Sequence, residues 1–169
     1  MRPRYRVGLT SALVALSFAP AGLIGIVGGT FVPVSHTDNG RRIFMYGTTV
    51  GGRVLENSHG MEGVGCAMCH GPDGRGGVMH GIPAPDITLA RLLDPQGHDH
   101  EVTGRRHPAF NRETVKAAIV AGIDPGGNTL DEEMPRWTGL SGKDLDDLMD
   151  YLQSLSRVNR PRTPAPQPM

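Results

Sequence analysis

Apolar positions along the 169-residue chain fall into three kinds of stretch. The first is continuous. Residues 7–37 carry no Asp, Glu, Lys or Arg, and their centre, Val7 to Val27, reads VGLTSALVALSFAPAGLIGIV. A helix of this length rises about 30 Å, the thickness of a bilayer's hydrocarbon core. The second kind is periodic. GRRIFMYG (residues 40–47) predicts a short helix with Ile43, Phe44 and Gly47 on its apolar side. Asn111 reads as an N-cap for RETVKAAIVAG, a helix that places Val115, Ala118 and Ile119 on one face and ends at Gly122. Ser141 with Asp144 resembles an N-cap pair before the strongest amphipathic segment, where Leu145, Leu148, Met149, Leu152 and Leu155 recur at helical spacing. Asp146, Asp147 and Asp150 are assigned to its outer face. The third kind has no period. Residues 71–110 are dominated by Gly, Pro, Asp and His, and within them ITLARLL (Ile87–Leu93) suggests one or two helical turns. So long an irregular stretch is unusual inside a compact domain unless it wraps something. With no alternating strand pattern and no repeat, the expected class is all-α: short helices joined by long loops.

Composition sharpens this picture. Gly contributes 24 residues and Pro 14, without the Gly-X-Y period of collagen, while Phe, Tyr and Trp number only four, three and one. A chain of this size buries about two-thirds of its unfolded surface. So few large side chains make a thin core, and something other than protein is expected to fill it. The 17 basic residues balance 17 acidic ones, which excludes the basic footprint of a nucleic-acid binder. Arg2, Arg4 and Arg6 precede any acid, however, and from residue 36 onward 14 basic residues face 17 acidic ones.

Arginines ahead of an uncharged run mark an exported chain whose N-terminus stays in the cytoplasm. Residues 1–35 are read as a signal-anchor or a signal peptide. Cleavage after Ala19-Pro20-Ala21 would leave the apolar GLIGIVGGTFVPV as a new N-terminus, which favours the anchor. Either way the main domain, taken as residues 36–157, lies on the periplasmic side of the cytoplasmic membrane, anchored there or soluble if cleaved. The Pro-rich residues 158–169 are expected to be disordered.

The two cysteines of the chain, Cys66 and Cys69, are followed at once by His70 in C-A-M-C-H. C-x-x-C-H is the attachment signature of c-type haem. On a helical turn, positions i, i+3 and i+4 share a face. Two thiols on that face can add to the two vinyl groups of one porphyrin, and the adjacent imidazole can reach the iron. Other chemistries fit less well. A Cys66–Cys69 disulfide closes a loop too small to stabilise much. A thioredoxin-type pair needs a βαβ context. Zinc needs four ligands. One covalent haem c is therefore the expected cofactor.

The iron's other axial position has several candidates. Met134, in D-E-E-M-P-R-W, lies between the last two predicted helices and 64 residues past His70, and Pro135 stiffens its loop. Met79, His80 and His107 are alternatives, and Met149 is better explained as core. His98, Asp99, His100, Glu101 and His107 form a possible second metal cluster, with solvated side chains as the plainer reading. The run GPDGRGG (residues 71–77) lacks the Gly-Lys-Ser/Thr ending of a phosphate loop, so its glycines are read as letting the backbone pass close to the haem plane. Arg136 and Trp137 are candidates to meet a haem propionate. Pro83 or Pro85 is expected to offer a carbonyl to His70.

C-A-M-C-H-G, the later M-P, the opening G-R-R-I-F-x-Y-G and the closing D-Y-L-Q-S-L together resemble a class I (mitochondrial-type) monohaem c-type cytochrome domain over about residues 40–155. The resemblance implies a class I cytochrome c fold wrapped around one covalent haem. It implies His70 as proximal and Met134 as distal ligand, both bound to iron, and first and last helices packed so that Gly40 and Phe44 meet Leu148, Tyr151 and Leu152. The implied activity is single-electron transfer between redox protein partners, with no small-molecule substrate at the iron and no enzymatic chemistry of the chain's own. The alternative is a haem-bearing subunit of a membrane oxidase or dehydrogenase complex. The long loop over residues 82–110 departs from the pattern and is expected to cover a haem edge or make a partner surface.

Overall fold

The computed structural model describes residues 35–100 and 104–158, so the expected signal-anchor or signal peptide (residues 1–35) apart from Ser35, Glu101, and the Pro-rich tail past residue 158 lie outside the described residues. Among the described residues no helix is long and apolar enough to cross a membrane.

The first helix, α1 (His36–Tyr46), starts four residues before the expected Gly40. Ser35 is the reason. Its Oγ accepts the Asp38 N–H at 3.1 Å, and the Asp38 carboxylate accepts the Ser35 N–H in return, a capping box that ends the uncharged run inside the helix. Gly47 closes α1 in the left-handed conformation. The last helix, α5 (Gly142–Val158), is capped as expected: Ser141 Oγ accepts from Asp144 N at 3.2 Å, and Asp144 Oδ2 accepts from Ser141 N at 3.0 Å.

The two helices cross at Gly40. A Cβ there would stand 2.8 Å from Tyr151 Cβ and inside contact distance of the Asp147 carbonyl, so the crossing requires glycine. Beside it Phe44, with no exposed surface, meets the Tyr151 ring at 5.3 Å between centroids, the packing expected of first and last helices. Leu148, Met149 and Leu152 complete the seam, and each such buried side chain contributes about 1.5–3 kcal/mol.

One residue of α5 departs from the pattern. Asp147, assigned to the outer face, is fully buried, whereas Asp146 and Asp150 are exposed as expected. Its carboxylate meets His36 Nδ1 at 2.6 Å, Asn39 Nδ2 at 2.8 Å and Lys143 Nζ at 2.7 Å. A polar stripe at the start of α1 turns what an isolated helix would expose into an internal bond. Asp144 joins it through Asn39 and Arg53.

Between the helices the chain is largely irregular, as its pattern predicts, with a single helical turn inside residues 87–93. The short α2 (Ala67–His70) carries the cysteine motif. Two small antiparallel ribbons follow, β1 (Gly77–Met79) with β2 (Ile82–Ala84), then, after α3 (Leu89–Leu92), β3 (His98–Asp99) with β4 (Arg106–His107). The expected frame of short helices and long loops holds, with these two ribbons as additions within the loops. Strands of two or three residues show no alternation to read, because their turns and their packing against the rest hold them. The fourth helix, α4 (Arg112–Ala121), is as expected, with Asn111 Oδ1 accepting the Thr114 N–H at 2.9 Å and Val115, Ala118 and Ile119 buried.

Candidate functional site

Helix α2 is set by what lies beneath it. Gly65 packs so closely on the end of α1 that a Cβ would stand 2.7 Å from the carbonyl carbons of Phe44 and Met45. His70 N–H then bonds Cys66 O at 3.0 Å, closing one helical turn. Cys66, Cys69 and His70 thereby line one wall of a cavity of about 410 Å³. The floor is the core itself: Phe44, Val115, Ile119, Leu148 and Leu152. Met79 and Ile82 from the first ribbon, Pro85 just after it, His107 from the second and His100 just after β3 form further walls. The 82–110 loop is therefore built into the site rather than appended to it.

The motif's chemistry is set by this burial. Both cysteines are free thiols. Burial pushes the Cys66 thiol up to about 12, and burial with the Glu133 carboxylate nearby raises that of Cys69. A dithiol redox pair depends on a depressed thiol pKa, so this environment argues against one. Burial holds the His70 imidazole below its ordinary range, partly offset by its bond to a carbonyl. That carbonyl belongs to Pro85, one of the two prolines expected to supply it, and accepts from Nδ1 at 2.8 Å. A carbonyl can only accept, so Nδ1 carries the proton and Nε2 keeps its lone pair, the state a metal-binding imidazole needs.

Met134 lines the same cavity, together with Pro135 and Trp137. Its loop is tied in place from two sides. Ser58 N–H bonds Arg136 O at 2.9 Å, Arg136 N–H bonds Ser58 Oγ at 2.9 Å, and His59 Nε2 donates to Glu132 O at 2.9 Å. The Arg136 guanidinium donates to the carbonyls of Leu130, Asp131 and Met134. Arg136 is thus a staple of the Met134 loop and does not line the cavity, whereas Trp137 does. Met79 and His107 are also at the wall; His80 is not, and Met149 is fully buried core.

Two further expectations change. The glycines of residues 71–77 do not line the cavity. They serve backbone-on-backbone packing: a Cβ at Gly77 would stand 2.6 Å from Cys69 O, and one at Gly76 2.6 Å from Ala84 O. Three histidines of the second cluster do converge, but among the described residues no group of three His, Cys, Asp or Glu could hold a metal ion.

The cavity fits the expected group by its donor chemistry: two thiols and an imidazole on one turn, a thioether on a fixed loop, and apolar surface between. No curated protein and no solved structure matches the chain. The family model for cytochrome c matches residues 51–156, which include the cysteine motif, Met134 and all of the cavity lining except Phe44. With that match spanning most of the chain, this protein belongs to the cytochrome c family, whose domain binds covalent haem c and serves haem-based electron transfer.

Proposed function

We propose that the chain is an extracytoplasmic monohaem carrier of single electrons, with the porphyrin joined to Cys66 and Cys69 through thioethers and its iron ligated by His70 and Met134. The observation that carries this reading is the convergence of those four side chains on one apolar cavity. The bound group supplies a one-electron iron couple, whose potential a methionine ligand raises. The chain's own residues do the rest. Pro85 holds the His70 ring by its Nδ1 proton. Arg136, Ser58 and His59 hold the Met134 loop. Phe44, Leu148, Leu152 and Ile119 exclude water, so little solvent reorganises when charge changes. His70 and Met134 would together leave no place for a substrate at the metal, and the protein would pass electrons to redox protein partners.

Export is supported by Arg2, Arg4 and Arg6 ahead of the uncharged run, and by a motif whose thiols are consumed in attachment, which suits an oxidising compartment. Retention of residues 1–35 as an anchor would tether the carrier to the membrane. Intact mass of the native protein tests this, since a chain starting near Gly22 would show cleavage instead.

The ligand set is tested by the absorption spectrum of the oxidised protein. Wild type should show the near-infrared thioether-to-iron band. Met134→Ala should lose it, turn high-spin and fall in potential while keeping its covalent haem; Met79→Ala should keep the band. A persisting band in Met134→Ala would assign the ligand to another residue.

A further inference from the structure

The cavity wall carries two groups of ionisable side chains besides Cys66, Cys69 and His70. One is acidic: Asp86, Asp131 and Glu133. Asp86 already accepts the Thr88 N–H at 2.8 Å, and Asp131 the Glu133 N–H at 3.0 Å. The other lies on the β3–β4 ribbon and the residues that flank it: His98, His100, Arg105 and His107. Among the described residues, Arg105 is the one Arg or Lys on the wall.

The rings lie close together, His98 stacked on His107 and His100 tilted against it. His98 and His100 each stand 5.1 Å from His107 between centroids, and Phe110 packs edge-on to His107 at 4.9 Å. His107 Nδ1 lies 2.8 Å from Pro108 O and must donate to it, which leaves Nε2 as its second nitrogen. His107 Nε2 stands 3.0 Å from His100 Nε2, and Arg105 Nη2, which can only donate, is 3.3 Å from His100 Nε2. If His100 donates to His107, the guanidinium faces an N–H. If His100 accepts from both, His107 is an imidazolium. With neither Nε2 protonated, two lone pairs would face each other at 3.0 Å, so the favoured arrangements hold a proton between the rings beside the guanidinium. Two imidazole nitrogens at this separation could chelate a cation, but the guanidinium beside them opposes one. The point suits an anion. Asp124 balances Arg105 through Nε at 3.0 Å, but it is itself held by Gly126 and Asn128 and does not line the cavity.

A porphyrin attached by its vinyl groups bears two propionate carboxylates on the edge away from them. Carboxylates are repelled from Asp86, Asp131 and Glu133. We propose that His100, Arg105 and His107 are the subsite that receives them. This rests on attachment through Cys66 and Cys69.

Among the described residues, the charged and titratable groups around the pair include Arg105, His98 and Asp124, with Arg91 and Asp94 beside His98. Burial, then Arg105 and the neighbouring rings, hold His100 below its ordinary range, and a carboxylate partner would counter that. Imidazoles paired with propionates feel the charge on the iron, so reduction should draw a proton toward them. The midpoint potential should therefore fall as pH rises between about 5 and 8.

The test uses the haem-loaded full chain and the double variant His100→Gln with His107→Gln, in which amides keep hydrogen-bonding capacity but do not titrate. The single variant His100→Gln serves where the double one does not fold. Potential is measured against pH, and haem retention after acid extraction on the same samples. The expected result is a pH slope in wild type that is lost in the variants, with haem still covalent. A flat wild-type profile overturns the subsite, as does a slope that survives both substitutions while only the melting temperature drops. Added inorganic phosphate should leave the wild-type slope unchanged; a shift would mean that the subsite takes an external anion instead. Release of haem from wild type on acid extraction overturns the attachment itself, independently of the slope, and with it the orientation the subsite requires.

Discussion

The crossing of α1 with α5 and the walls of the cavity are built from the same chain by opposite means. At the crossing, protein groups satisfy one another: Gly40 lets the backbones touch, Phe44 and Tyr151 pack ring on ring, and the buried Asp147 finds three partners. At the cavity Cys66 and Cys69 are free thiols, and the imidazole of His70 is fixed through one nitrogen while the other is left with a lone pair. The walls there are short ribbons and tied loops, which have little local stability of their own. One region is complete as protein, and the other is completed by its cofactor. This explains how a sequence so rich in glycine and poor in aromatics folds around one site.

Removing the attachment should break the second region and spare the first. Replacing Cys66 and Cys69 together by alanine should abolish covalent haem, read as free haem after acid extraction. It should also cost more stability than any single substitution at the crossing, because anything bound to the native state alone stabilises it by mass action. Hydrogen exchange should then be fast across the two ribbons and slower in α1 and α5. Equal loss of protection in both regions would erase the distinction.

Breaking the first region should be the converse. Gly40→Val places branched carbons against Tyr151 and the Asp147 carbonyl, neither of which is a flexible side-chain end. An overpacked core site costs about 1–3 kcal/mol, and a backbone obstruction belongs at or above the upper end. Thermal unfolding should shift down accordingly, while the haem that does attach keeps its ligand spectrum. A changed spectrum would mean that the crossing also sets the iron's environment.

A smaller change sharpens the comparison by pH. Burial works against the charge on Asp147, but hydrogen bonds from Lys143, His36 and Asn39 outweigh it and hold its carboxyl below the usual range. Asp144 is depressed likewise, burial again being outweighed by bonds from Ser141 and Asn39 and by Arg53. A depressed native pKa contributes stability that is complete above the unfolded value, about 3.9, and is lost as pH falls through the native one. Asp147→Asn should cost about 1–3 kcal/mol at neutral pH, read by denaturant unfolding, and should flatten the acid limb below about pH 4. An unchanged acid limb would remove Asp147 from the account.

Much of the architecture was legible in the chain because it is local. Asn111 and Ser141 announce helices through bonds made within three residues, and the α5 stripe reports the face it buries. C-x-x-C-H reads as one turn because its three donors fall within four positions of one another. Ser35-His36-Thr37-Asp38 is a capping pattern too, and it would have moved the start of α1 back to His36. Met134 was legible by its loop and its proline, though not what holds that loop, since Ser58 and Arg136 are 78 residues apart.

What tertiary structure alone decided is everything that depends on a partner far along the chain. Asp147 belongs inside because His36 and Asn39 arrive 111 and 108 residues away. His100 and His107 become neighbours because a ribbon two residues long turns between them, and Arg105 joins them there. By itself the sequence determined the cofactor, the helices and the seam of the core, because covalent spacing and helical periodicity are written over a few residues. Which polar side chains are buried, and which of them face the haem cavity, was settled by folding, because burial and electrostatic pairing are properties of positions in space.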